Sequence, residues 1–154
     1  MGIGIAENAA RSGYPTVLYD LAPGVLEKAS SAIEKNLSLL AEKNKITAEE
    51  KNKTLERLRF TSDINTCSGD IVIEAIIEKN DAKIELFRQL AGINDLRAIF
   101  ASNTSSLSIS TLASQIPHPE RVCGMHFFNP AQVMKLVEVV EGSLTAPWVT
   151  EKIS

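Results

Sequence analysis

The sequence is poor in aromatic residues and cysteines, and it has no long apolar run. Only 5% of its 154 residues are Phe, Trp or Tyr, and it has two cysteines and two histidines. Its uninterrupted apolar stretches are a few residues long, as at Ile71-Val72-Ile73, which excludes a helix that spans a bilayer. No charged and then apolar leader opens the chain, so we expect a cytoplasmic address, with an organelle matrix as the alternative.

The sequence also has no large excess of basic or of acidic residues. The chain has 16 basic and 19 acidic residues, a net charge of −3, and its basic residues are scattered among acidic ones. This pattern argues against nucleic-acid binding. Cys67 and Cys123 lack the spacing of metal ligands, so we expect no metal site, and we expect both thiols to be reduced and to have packing roles.

What the chain does have is a regular alternation of helical and strand-like segments. An apolar fraction of 44% is enough to bury the core of one domain. Hydrophobic periodicity predicts a helix over residues 2–11 and another from residue 23, whose apolar face is formed by Val25, Ala29, Ile33, Leu37 and Leu40. Thr47 and Glu50 match a capping box, which predicts a helix from 47 to about 59. Further helices are predicted over residues 81–90, 108–115 and 147–154. The predicted strands cover residues 16–19, 60–61, 70–75, 98–101, 121–126 and 135–140. The alternation predicts an α/β fold with an open, mostly parallel sheet covered by helices on both faces.

A possible nucleotide site lies at the start of the chain. Gly2 opens the first helix, and Asp20 ends the following strand. If Gly2 were the last glycine of a G-x-G-x-x-G motif, the interval to Asp20 would be close to the roughly 20 residues expected before the acid that binds the adenosine ribose. A carboxylate there favours NAD over NADP because it repels a 2′-phosphate. The alternative is that Asp20 is only a turn acid at the end of a strand.

Two further groups of residues have the chemistry of a reaction site. The hydroxyl-rich stretch 101–107 follows a strand and precedes a helix, where open α/β sheets bind ligands, although its hydroxyls also suit a helix cap at Ser108. His126 ends a strand, and its imidazole can exchange protons near neutral pH. Glu138, an acid among aliphatic residues, needs solvent or a partner, and the turn at Asn129-Pro130 would let it reach His126. We expect His118, in a polar loop, to be structural.

Three stretches together resemble the NAD-binding domain of L-3-hydroxyacyl-CoA dehydrogenases. They are SNTSS at residues 102–106, GMHFFNP at 124–130 and MKLVEVV at 134–140, and the resemblance extends from the first residues to about Gly142. It implies a Rossmann-type doubly wound sheet with a helical hairpin insertion. It also implies NAD-dependent oxidation of a 3-hydroxyacyl-CoA to the 3-oxoacyl-CoA in fatty-acid β-oxidation or short-chain acyl-CoA metabolism.

The resemblance also implies roles for individual residues. His126 would take the proton of the 3-hydroxyl group, and Glu138 would orient and stabilise the imidazolium. Ser105 would bind the reacting oxygen, and Asn129 would lie beside the nicotinamide and His126.

Further roles follow from the same family. The pattern V-x-E-A-x-x-E-x-x-x-x-K places cofactor contacts at Glu78 and Lys83, for which a helix start and a solvated face are the ordinary alternatives. Lys43, in the Lys-rich tip of the helical hairpin, would contact the coenzyme A chain, although such a lysine is usually only solvated.

The sequence departs from the family pattern at both ends. Family members have a first strand and a glycine-rich turn before the residue that corresponds to Met1, and a mostly helical domain after the one that corresponds to Ser154. We therefore expect residues 1–154 to be a truncated NAD-binding domain whose parent enzyme is a homodimer through the missing helical domain.

The sequence leaves open which acyl chain is used, because 3-hydroxybutyryl-CoA, 3-hydroxyadipyl-CoA and multifunctional fatty-acid oxidation enzymes share these motifs. A non-catalytic role, as a nucleotide-binding module or a structural protein similar to a lens crystallin of this family, is the alternative of another class.

Overall fold

The computed structural model describes residues 1–154, and its helices and strands alternate along the chain. The helices are α1 (Gly2–Arg11), α2 (Pro23–Glu42), α3 (Ala48–Glu56), α4 (Asn80–Ala91), α5 (Ile109–Ala113) and α6 (Pro147–Ile153). The strands are β1 (Thr16–Tyr19), β2 (Leu58–Thr61), β3 (Ile71–Glu74), β4 (Ile99–Ser102), β5 (Val122–Phe127) and β6 (Val137–Glu141). None of these helices is long and apolar enough to cross a membrane.

The chain forms two compact units. The first unit contains residues 1–66 and 129–133, and the second contains residues 67–128 and 134–154. The strands divide accordingly into a sheet of two and a sheet of four. The predicted α/β class and mostly parallel pairing are confirmed, whereas the single open sheet is replaced by two hydrogen-bonded sheets, because β1 and β2 pair only with each other.

In the first unit, α1 and the α2–α3 hairpin accompany the parallel pair β1–β2. The predicted capping box is present: the Glu50 N–H donates to Thr47 Oγ1 at 3.1 Å, and the Thr47 N–H donates to Glu50 Oε2 at 2.7 Å. This reciprocal cap satisfies two N–H groups at the start of α3 and fixes the hairpin turn. The strand predicted over residues 16–19 is present, but the expectation that it is buried is wrong: none of its residues is fully buried, and Val17 is 38% exposed.

Helix α2 packs through a stripe that differs slightly from the predicted one. Ala29, Ile33 and Leu37 are fully buried as expected, but Leu26 is buried where Val25, 43% exposed, was predicted. The contact face therefore lies one residue further along the first turn. The helical pattern determines the stripe to within one residue, and neighbouring elements decide which side chain is covered.

The second unit is built on a four-stranded sheet with the order β3-β4-β5-β6. The first three strands are parallel, and β6 runs antiparallel to β5. On one face, Phe100 of β4 stacks on Phe87 of α4 with ring centroids 5.3 Å apart. On the other face, Ile99 and Cys123 pack against Val149 of α6. Helices cover both faces of this sheet, as predicted.

Most element boundaries match the predictions to within a few residues. The last strand begins at Val137, two residues later than predicted, and α5 is shorter, from Ile109 to Ala113. Cys123 is buried and forms no disulfide, and burial raises the pKa of its thiol to about 12. A thiol that stays protonated is unreactive, which supports the predicted packing role.

Candidate active site

His126 and Glu138 face each other across the β5–β6 pair. They are direct partners in the antiparallel ladder, and the His126 Nδ1 atom lies 2.9 Å from Glu138 Oε2. The His126 side chain is 24% exposed and the Glu138 side chain is 53% exposed. The predicted contact between them is therefore present, at the end of β5 where the parallel strands present their carboxyl ends. Since an ionised carboxylate accepts hydrogen bonds only, this contact places a proton on Nδ1 and leaves Nε2 as the free basic nitrogen.

Three neighbouring residues fix the position of His126. Gly124, two residues earlier on the same face of β5, allows a close approach, because a Cβ atom there would lie 2.9 Å from Val140 Cβ. Asn103, just after β4, accepts the Phe127 N–H through Oδ1 at 2.8 Å. The Phe128 ring also lies beside the imidazole, with centroids 5.0 Å apart. Strand pairing, a side-chain hydrogen bond and an aromatic contact thus hold the imidazole in place.

A second cluster joins Ser105, Glu78 and Lys83. Glu78 Oε1 accepts hydrogen bonds from the Thr104 hydroxyl, from the Ser105 N–H at 3.1 Å and from the Ser106 hydroxyl at 3.2 Å. Its Oε2 atom lies 3.1 Å from Lys83 Nζ. Burial alone would raise the pKa of Glu78, but the bonds from Thr104 and Lys83, the charge of Lys83 and the Ser105 N–H together lower it to about 2. Glu78 is therefore an anion at neutral pH, and it holds residues 104–107, which we call the serine-rich loop.

Lys83 is not a solvated lysine. It is 1% exposed, and its ammonium lies 2.6 Å from Oε1 of Glu74, which is 2% exposed. The solvated-face alternative for Lys83 is therefore wrong. The alternative role of the hydroxyl-rich stretch was to cap the helix that follows it. Only Ser108 has this role: its side chain accepts the Thr111 N–H at 3.2 Å.

The nucleotide-site residues Gly2 and Asp20 belong to the first unit. Helix α1 begins at Gly2 without a side-chain cap, so the N–H groups of its first turn are left without helical acceptors. Asp20 accepts the Ala22 N–H through Oδ1 at 2.9 Å. This is the contact expected if Asp20 is a turn acid at the end of its strand. That turn engages Oδ1 and leaves Oδ2 for another donor.

The remaining predicted site residues are exposed. Lys43 follows α2 as its C-cap residue and is exposed. Asn129 is exposed and belongs to the segment 129–133, which packs within the first unit through a bond from the Asn8 side chain to Ala131 O. His118 is half exposed, and its Nδ1 atom lies 3.4 Å from Glu120 Oε1. Its structural role stays a prediction.

Comparison with known proteins identifies the family. The family model described as "3-hydroxyacyl-CoA dehydrogenase, NAD binding domain" matches residues 1–154. The chain belongs to the 3-hydroxyacyl-CoA dehydrogenase family.

Relatives and solved structures agree with this assignment. This NAD-binding domain is 46% identical over 154 residues to a 3-hydroxyadipyl-CoA dehydrogenase of Escherichia coli, and the match covers 99% of the chain and 32% of that protein. It is 40% identical over 160 residues to the mitochondrial hydroxyacyl-coenzyme A dehydrogenase of Sus scrofa, covering 99% of the chain and 51% of that protein. The crystal structure of a 3-hydroxybutyryl-CoA dehydrogenase from Escherichia coli matches with a TM-score of 0.97 and 46% identity, over 99% of this chain and 32% of that one. The chain therefore spans about a third to a half of the length of these relatives.

The donors present in this domain fit NAD, the cofactor of the family. The N–H groups at the start of α1 suit an anionic pyrophosphate, and no side chain caps them. Asp20 has a carboxylate oxygen for the hydroxyl groups of a ribose.

Sequence reasoning did not predict how four residues of this 3-hydroxyacyl-CoA dehydrogenase domain organise the site, although three of them lie in the candidate stretch 101–107. Glu74, Ser102 and Thr104 link β3, β4 and the serine-rich loop, and Asn103 holds the end of β5. One signal was available: an acid ends the apolar strand Ile71–Glu74, where burial demands a charged partner. The hydroxyl partners had no such signal, because Ser and Thr in a loop are most often turn or cap residues.

Proposed function

We propose that the protein containing this domain oxidises a (3S)-3-hydroxyacyl-CoA to the 3-oxoacyl-CoA and reduces NAD. The observation that carries the proposal is the 2.9 Å contact between His126 Nδ1 and Glu138 Oε2 at the carboxyl end of β5. A base whose second nitrogen is held by a carboxylate is the arrangement that proton transfer from an alcohol requires.

The chain's own residues handle the proton of this reaction. Oxidation of the alcohol breaks one O–H and one C–H bond and forms a carbonyl. His126 takes the hydroxyl proton at Nε2, and Glu138 stabilises the imidazolium that results, since it already accepts from Nδ1. NAD supplies the hydride acceptor when bound. In the reverse direction, His126 returns the proton to the carbonyl oxygen.

Four residues have proposed cofactor roles. The N–H groups that begin at Gly2 would bind the pyrophosphate, and Asp20 would accept hydrogen bonds from the adenosine ribose. Glu78, 39% exposed at its side chain, would contact the cofactor directly. Lys83 has the same proposed role, but its burial favours an action through Glu78, whose charge and position it holds.

Three further residues have proposed contacts near the reacting groups. The Ser105 side chain, exposed while its N–H is held by Glu78, would donate to the reacting oxygen. Asn129 would contact the nicotinamide. Lys43, an exposed cation, would contact the phosphate-bearing coenzyme A chain, and this assignment rests on the family pattern alone.

The proposal also covers the protein's partners and address. We propose a homodimer of the whole protein and a cytoplasmic or organelle-matrix location, for which the mitochondrial relative from Sus scrofa gives a precedent. Sedimentation of the purified whole protein measures its oligomeric state, and fractionation of cells measures its location.

The deciding experiment follows NADH consumption with acetoacetyl-CoA and with longer 3-oxoacyl-CoA substrates. The 154-residue chain is assayed beside a polypeptide extended at both ends. The proposal predicts turnover by the extended protein and weak or no turnover by the shorter one, and the relative rates give the acyl preference. Calorimetric binding of NAD without turnover of any substrate would favour the non-catalytic alternative instead.

A further inference from the structure

Five residues of the second unit form a closed ring of hydrogen bonds, which we call the Glu74 ring. Glu74 Oε1 lies 2.6 Å from Lys83 Nζ, and Lys83 Nζ lies 3.1 Å from Glu78 Oε2. Glu78 Oε1 accepts the Thr104 hydroxyl, and the Thr104 N–H donates to Ser102 Oγ at 3.3 Å. The Ser102 hydroxyl closes the ring by donating to Glu74 Oε2 at 2.7 Å.

Burial makes this ring sensitive to the loss of any member. Glu74, Lys83 and Ser102 are each at most 2% exposed. The Lys83 ammonium has three donors, and it has three acceptors: the two carboxylates and Ile76 O at 3.5 Å. Glu74 also accepts the Ile76 N–H at 2.7 Å, so no oxygen of its carboxylate is left without a partner. Removal of one partner leaves a buried charge or donor unpaired, which is costly.

The ring joins the rigid sheet to the serine-rich loop. Glu74 and Ser102 are paired residues of β3 and β4, and Lys83 lies on α4. Thr104 and Glu78 then hold the loop itself: Glu78 accepts the Ser105 N–H, and Thr104 Oγ1 accepts the N–H groups of Ser106 at 3.3 Å and Leu107 at 2.9 Å. The position of Ser105 therefore depends on bonds that begin at Glu74.

We propose that Glu74 is a positioning residue for the reaction, acting through Ser102, Thr104 and Glu78 to hold Ser105 in place for the substrate oxygen. This inference rests on the proposed function of the protein. Glu74 is too deeply buried to touch a substrate, and its effect is exerted through the bonds of the ring. Ser102 shares the role, because it carries the second link from Glu74 to the loop.

Amide hydrogen exchange tests the structural half of this inference without any activity. We expect Glu74→Gln and Ser102→Ala to speed exchange at residues 104–107 by about tenfold or more, because loss of the ring opens the loop locally. Amides of the β5–β6 ladder that point toward the partner strand, those of Gly124 and Val140, should keep their protection, which excludes global unfolding. Glu141→Gln and Ser114→Ala, on the surface of the same unit, are the matched controls. Unchanged exchange at residues 104–107 in both ring variants overturns the inference.

A double-mutant cycle with Ser105→Ala tests the functional half in the whole protein. We expect Glu74→Gln to lower kcat roughly tenfold, and to lower it little further once Ser105 is Ala, because both changes remove the same contact. Ser102→Ala should behave in the same way and preserves every charge. Multiplicative losses in both cycles would mean that Glu74 supports only the fold. Absence of turnover in the wild-type protein would instead refute the proposed function, and the exchange experiment would still decide whether the ring holds the loop.

Discussion

His126 Nδ1 and Glu138 Oε2 lie 2.9 Å apart because the two residues are direct partners in an antiparallel strand pair. Twelve residues separate them along the chain, and the ladder from Cys123 and Glu141 to Phe127 and Val137 sets their register. A slip of one residue would put the two side chains on opposite faces of the sheet. The register of the β5–β6 pair therefore fixes the contact between the two proposed catalytic side chains.

The first prediction concerns Glu138. In Glu138→Gln, the amide no longer holds the imidazole in one tautomer or stabilises its cation. We expect kcat for acetoacetyl-CoA reduction to fall about tenfold to a thousandfold, with an unchanged Kd for NADH. Glu141→Gln, three residues later on the same strand and exposed, is the control and should retain wild-type kcat. A wild-type rate in Glu138→Gln would remove its orienting role.

The second prediction concerns the choice of cofactor. Asp20→Asn preserves the turn contact with the Ala22 N–H, because the amide oxygen can still accept it, but removes the negative charge. We expect NAD to bind about tenfold or more weakly, since a hydrogen bond to a charged group is worth about 1.5–3 kcal/mol. NADP should bind more tightly than to the wild type. Calorimetric titration of both nucleotides measures the ratio, and an unchanged ratio would leave Asp20 as a turn residue.

The third prediction concerns the pH dependence of stability. The pKa of Glu78 is lowered from 4.5 to about 2, so its ionised form stabilises the folded state above the unfolded pKa, and this stability is lost as the pH falls through the folded value. Glu78→Gln should therefore unfold more easily than wild type at pH 7, and the difference should shrink between pH 4.5 and about 2. Urea unfolding at a series of pH values measures it, with Glu141→Gln as the reference. A difference that is independent of pH would contradict the account.

The fourth prediction concerns Gly124. In Gly124→Ala the new methyl group would lie 2.9 Å from Val140 Cβ and 3.1 Å from Ile109, so β5 and β6 must separate. We expect a loss of about 1–3 kcal/mol in the free energy of unfolding and a lower kcat, because His126 and Glu138 lie next along the same face. Gly24→Ala, with nothing within 4 Å, is the control and should be neutral or slightly stabilising. If both variants unfold alike, close packing at Gly124 has no energetic role.

Patterns with a local physical cause were readable from the sequence. The capping box at Thr47 and Glu50 was predicted because both of its bonds are made within four residues. The His126–Glu138 contact was predicted because an acid among aliphatic residues needs a partner, and because the turn at Asn129-Pro130 lets the chain return toward His126. The family followed from motifs at 102–106, 124–130 and 134–140, and the match over residues 1–154 confirms it.

Features that depend on distant parts of the chain could not be read in this way. Lys83 looks like a surface residue of an amphipathic helix, and only the fold shows that Glu74 and Glu78 enclose it. The burial of Leu26 instead of Val25 likewise depends on what packs against α2. The division of the strands into two sheets depends on pairing, which alternation along the chain does not specify.

The central claim is that His126 is the base of a dehydrogenase reaction. Its most direct test is the steady-state reduction of acetoacetyl-CoA by NADH in the whole protein and in its His126→Ala variant, together with the Kd for NADH. The account predicts a fall in kcat of about 10²–10⁴-fold in the variant with an unchanged Kd. Equal kcat values in the two proteins would contradict it.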